Sequence, residues 1–257
     1  MKPHYYSLGY MLWLAACSSP AAQNTTQTET PKKDSMIAAI DSILGSNNIT
    51  IPPYGVGKVD VLIEKIAVEN PRSTDETRTL DPKLYDSLSL PEKFTYNMIH
   101  PETYMQICSI LPMREDEDKR IYGHLPNTFG EYGWSERQLI FFIKNRDTVS
   151  QLMKPVIEKS SKVGGNIKEA IVKMNGTELI PYLIDFYNRE KKDHYILTVL
   201  MLLMKENQYG AFVNSFYYSK LYEPKSGEYG AYLNYNKANE DLIIQRATNF
   251  YNGLHKI

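Results

Sequence analysis

Apolar residues along most of this chain recur at the three-to-four-residue spacing of an amphipathic helix, and Pro, Gly, Asn and Asp break the pattern into segments. Ser35 to Leu44 predicts a short helix ended by Gly45. Ile49-Thr50-Ile51-Pro52-Pro53-Tyr54-Gly55 is a breaker-rich turn. Val59, Leu62, Ile63 and Ile66 place one apolar face on a helix over Val59–Val68, which Asn70-Pro71 ends. Asp81-Pro82 reads as an N-cap with proline in the first turn, and Leu90-Pro91 gives a second start. His100-Pro101 opens another segment through Leu111, closed by Pro112, and Arg114 to Arg120 is a charged loop. Ser135 followed three residues later by Gln138 fits a capping box ahead of Leu139, Ile140, Phe142 and Ile143. Arg146 to Lys162 continues helically, with Pro155 predicting a kink or a fresh start, and Gly164-Gly165-Asn166 marks a stop and a new cap. Thr177–Arg189, His194–Lys205, Tyr209–Tyr222 and Ala238–Leu254 read as further helices. Tyr195 to Met204 is nearly all apolar, the mark of a helix buried on every side and too short to span a bilayer.

The expected fold class is therefore all-α: an array of about eight to ten helices, partly superhelical, with room for minor strands before residue 70. Short helices, tight polar turns and one central apolar helix over Ile167–Tyr222 resemble the helix-pair rhythm of HEAT-like arrays, on periodicity alone.

The N-terminus has a different pattern. Lys2 precedes an apolar run from Tyr5 to Ala16 of about twelve residues, within the range of a secretory signal. As a helix it would rise about 18 Å, short of a ~30 Å hydrocarbon core. Leu14-Ala15-Ala16-Cys17 resembles the lipobox of a bacterial lipoprotein. That resemblance implies diacylglycerol on Cys17 and a mature chain beginning there. Ser18 in the following position resembles outer-membrane sorting. The stretch after it lacks the acidic run with which bacteria of the Bacteroides type export lipoproteins, so the periplasmic face is expected over the cell surface. The same bacteria glycosylate Asp-Ser/Thr-apolar triplets, which Asp34-Ser35-Met36, Asp41-Ser42-Ile43, Asp86-Ser87-Leu88 and Asp147-Thr148-Val149 resemble. Residues 18–33 contain no large apolar side chain, so they cannot bury enough surface to fold. The expected organisation is a signal peptide at 1–16, a lipidated cysteine with a disordered tether at 17–33, and a helical domain at 34–257.

Lys+Arg number 29 against 30 Asp+Glu, without a block of like charge, so nucleic acid is not an expected partner. Beyond Cys17 the only cysteine is Cys108, which rules out an internal disulfide in the mature chain. Cys108 sits among apolar neighbours and reads as a core residue; the thiol-nucleophile reading would need His100 or His124 as base. His100, His124, His194 and His255 form no zinc-type spacing. Glu115-Asp116-Glu117-Asp118 lacks the ligand alternation and central glycine of an EF-hand loop. No metal, cofactor or catalytic set is expected. Glu131-Tyr132-Gly133-Trp134 is the one stretch suited to sugars, yet Trp134 before an N-cap equally suits a hydrophobic staple.

The 20 tyrosines, four of them at 222, 229, 232 and 235 around Gly227 and Gly230, suit an interface. The leading expectation is a membrane-tethered, non-enzymatic module that binds another envelope protein, with Tyr229 and Tyr232 in the recognition loop. The alternative is a glycan-binding or glycan-cleaving lipoprotein built on Trp134 and that same loop.

Overall fold

The computed structural model describes residues 49–69, 78–105, 115–223 and 230–255. The signal, Cys17, the tether, the helix expected at 35–44, Cys108 and Tyr229 lie outside the described residues.

The molecule is all-α. Its helices are α1 (Val56–Glu69), α2 (Pro82–Ser87), α3 (Leu90–Ile99), α4 (Glu136–Lys144), α5 (Arg146–Ser160), α6 (Gly165–Lys173), α7 (Ile180–Glu190), α8 (Tyr195–Glu206), α9 (Gly210–Val213), α10 (Phe216–Tyr222) and α11 (Lys237–Leu254). A 3₁₀ turn at Thr177–Leu179 leads into α7. The described residues also hold four short strands: β1 (Thr103–Tyr104) pairs antiparallel with β3 (Tyr132–Gly133), and β2 (Arg120–Tyr122) with β4 (Tyr232–Asn234). These strands fall beyond residue 70; the described residues ahead of it are turn and helix.

Local chemistry accounts for the helix starts. The Asp81 carboxylate accepts from the Lys83 and Leu84 backbone N–H groups at 2.9 and 3.3 Å, with Pro82 opening α2. Glu92 reaches back to the Ser89 backbone N–H at 2.8 Å, and Gln138 to that of Ser135 at 3.0 Å. Pro155 neither ends nor restarts a helix, since α5 runs through it to Ser160. Tyr209–Tyr222 is two helices, because Ser215 caps a new start: its hydroxyl accepts from Tyr218 N–H at 3.4 Å. Gly164 is the N-cap of α6, while Asn166 turns its amide to a distant segment instead of capping.

As expected from its composition, α8 is the centre. Every residue from Ile196 to Met204 is buried, and the helix packs against α6, α7, α9, α11 and β2. A second, smaller cluster contains Val59, Leu62, Ile66, Leu80, Tyr85, Leu88 and Tyr96. Helix α3 divides the two, with Phe94 and Met98 in the main core and Tyr96 in the small one.

Candidate functional site

A buried polar network lies where the two cores meet. Its centre is Glu102, a fully buried side chain just ahead of β1. One carboxylate oxygen accepts from the Tyr96 hydroxyl at 2.7 Å and the other from the Ser135 hydroxyl at 2.6 Å. The Arg137 guanidinium closes a two-pronged ion pair on both oxygens. The same guanidinium lies 4.2 Å from the Tyr85 ring centroid and donates to the Leu80 carbonyl at 2.8 Å. Burial pushes the Glu102 carboxyl up, but the bonds from Arg137, Ser135 and Tyr96 outweigh it and hold the group below its ordinary range.

Gln138 saturates its amide beside this pair. Its oxygen accepts from Glu102 N–H at 3.2 Å and Ser135 N–H at 3.0 Å, while its nitrogen donates to Asn97 Oδ1 at 3.1 Å and His100 O at 2.8 Å. Asn97 also donates to the Tyr85 hydroxyl at 3.1 Å. His100 Nε2 lies 2.7 Å from the Arg78 carbonyl. A carbonyl only accepts, so this nitrogen carries the proton, and burial holds the ring below its ordinary pKa. With every lone pair of Glu102 taken, the cluster clamps polypeptide and offers no free acid or nucleophile.

A second buried carboxylate, Glu240, pairs with Lys191 and accepts from the Tyr235 hydroxyl at 2.8 Å. Burial raises its pKa, and Lys191 with Tyr235 more than reverse that. His194 stacks on Tyr235 at 3.8 Å and its Nδ1 donates to the Glu117 carbonyl at 3.0 Å.

The residues singled out from sequence do not converge. Trp134 is 8 % exposed. Its indole packs edge-on against Phe129 and Phe142, and its N–H donates to the Asn97 carbonyl at 2.6 Å. Neighbouring Glu131 is exposed and receives the Tyr104 hydroxyl at 3.4 Å. Tyr232 is half-buried beneath the Arg120 guanidinium, 4.3 Å from its ring centroid. Tyr222 donates to the Gly123 carbonyl at 2.8 Å, so Tyr222, Tyr232 and Tyr235 all turn onto their own chain. His124 lies edge-on to Tyr222, and His255 packs on Tyr251. In the acidic run, Asp116 holds Lys119 and Arg120, and Glu117 accepts from the Tyr195 hydroxyl. No group of three potential metal ligands occurs among the described residues. Ser87 and Thr148, of the two described Asp-Ser/Thr triplets, are exposed.

Glu102, Arg137, Tyr96 and Asn97 carry no signal in the sequence, because their partners lie 6 to 57 positions apart and follow no motif; Gln138 shows only as a cap. No protein-family model matches the chain, and neither a curated protein nor a solved structure matches it.

Proposed function

We propose that this chain is a lipid-anchored module of the bacterial envelope that binds another envelope protein through its helical domain. The observation that carries the reading is Leu14-Ala15-Ala16-Cys17 behind a short apolar run, upstream of a folded helical body. No described helix is long and apolar enough to cross a membrane, which fits attachment by acyl chains. Binding is supported by apolar side chains that the fold leaves outward. Ile140 and Ile143 stand 40 % and 58 % exposed on the outer face of α4, and Phe216 is 73 % exposed at the start of α10. The glycan alternative gains nothing from Trp134, which is buried and packs against Phe129 and Phe142. The outer membrane, periplasmic side, remains the proposed location.

Labelling with a fatty acid tests the anchor, and crosslinking from Ile143 and Phe216 in intact cells tests the partner. Cys17→Ser should abolish label and membrane pelleting, while the native chain should give a discrete crosslinked envelope protein. Label retained by Cys17→Ser, or no crosslinked species from either position, would overturn the reading.

A further inference from the structure

The segment Arg78–Leu80 is held in the manner of a bound peptide. It carries no helix or strand assignment, and its backbone polar groups are met by residues far along the chain. Arg78 N–H donates to the Glu102 carbonyl at 3.1 Å, and the Arg78 carbonyl accepts from His100 Nε2 at 2.7 Å. Leu80 N–H donates to the Tyr96 hydroxyl at 3.3 Å, and the Leu80 carbonyl accepts from Arg137 at 2.8 Å. The Leu80 side chain, 2 % exposed, fills the small apolar core. The Arg78 guanidinium lies 5.6 Å from the Tyr132 ring centroid, and Thr79 between them is exposed. Main-chain bonds for affinity, one pocket for a leucine and one ring for a cation are the elements by which extended peptides are recognised. The polar walls of this groove come from α3, the His100–Glu102 link, β3 and α4, its leucine pocket is the small core that α1 and α2 share, and the Glu102–Arg137 pair, which meets the segment through the Glu102 carbonyl and the Arg137 guanidinium, joins α4 to that link.

We propose that this groove is a peptide-recognition site occupied in cis by Arg78–Leu80. Its partner in trans is an extended peptide with a cationic residue and, two positions on, a leucine. The proposal rests on the protein-binding reading above and supplies its partner chemistry. The cis segment acts as an autoinhibitory plug: the site is competent only in the fraction of molecules in which the plug has left, and apparent affinity falls by that fraction.

The probe is a fluorescent peptide copying residues 76–83, titrated against the full chain. Native protein should bind it weakly. Leu80→Ala, which weakens the plug but leaves the groove walls intact, should bind it about tenfold more tightly, as release of the plug raises the competent fraction. Thr79→Gly touches no packed side chain and loosens the plug through chain entropy; it should gain about threefold. A probe with alanine in place of its leucine should lose binding to both. Unfolding of Leu80→Ala, read by circular dichroism, leaves Thr79→Gly to decide. No saturable binding to a folded variant, or equal binding of a scrambled peptide, overturns the proposal. Membrane pelleting and crosslinking of the same preparations report on the anchored-module reading separately, so loss of one leaves the other measurable.

Discussion

Removing the Glu102 carboxylate strands three donors at once: Arg137, Ser135 and Tyr96. Breaking a buried pair costs several kcal/mol, and Arg137, with its side chain 25 % exposed, recovers some hydration. Glu102→Ala should therefore destabilise by about 3 kcal/mol and lower Tm by on the order of 10 °C. A change within about 2 °C by thermal unfolding would show that the pair contributes little. The same residues set the acid response. Glu102 and Glu240 have lowered folded pKa values, so their contribution is full above the ordinary carboxylate range and is lost as pH falls through the folded values. His100 is also lowered: the unfolded chain takes up its proton first, near pH 6.5, so stability declines below that point until the folded ring titrates. The urea midpoint should fall between pH 7 and 5.5 and again below about pH 4.5. His100→Gln, which keeps a donor for the Arg78 carbonyl, should remove the upper step alone; persistence of that step would assign it elsewhere.

At the scale of elements, one amide joins three segments. Asn166, at the start of α6, accepts from Thr50 N–H at 3.0 Å and donates to the Thr50 and Met98 carbonyls at 2.9 Å each. Asn166→Ala leaves these buried groups unpaired and should cost about 2–3 kcal/mol, with faster hydrogen exchange at Thr50. Neighbouring Gly164→Ala should act similarly, since its Cβ would lie 2.6 Å from the Thr50 nitrogen. If Gly164→Ala leaves Thr50 exchange unchanged, the close approach is relieved elsewhere. Legibility in the sequence follows the range of the interaction. The cap at Ser135–Gln138 and the buried face of α8 were readable because they repeat within a few residues. The split between α9 and α10 was not, because apolar spacing runs through Asn214-Ser215 and only the Ser215 cap breaks it. Strands of two or three residues hold too little alternation to detect. Asn166 joins Thr50 and Met98 across 116 and 68 positions, and Glu102 joins Ser135 and Arg137 across 33 and 35, beyond any local pattern.

For the whole molecule, two cores of unequal size predict unequal resistance to opening. Helices α1 and α2 are tied down by the small cluster, the Lys58–Glu92 ion pair and the polar joint, whereas α8 is covered on all sides. Native-state hydrogen exchange should release the amides of α1 and α2 well before those of α8. A single common exchange free energy would show one cooperative unit. A chain cut to residues 34–257 should unfold as a helical protein by circular dichroism, with a Tm indifferent to reducing agent.

The clamp at Thr50 also decides what tension does here. Any pull on the chain ahead of Ile49 is received first by the paired bonds between Thr50 and Asn166, and passes from there into α6 and, through the Met98 carbonyl, α3. Helix α1, which begins at Val56, lies downstream of that point and stays slack. The groove holding Arg78–Leu80 thus meets that load through Asn166 and α3, not through α1. Beyond the force that breaks the Thr50 bonds, the Tyr54 hydroxyl bond to the Leu152 carbonyl takes the load next, and only after it does α1.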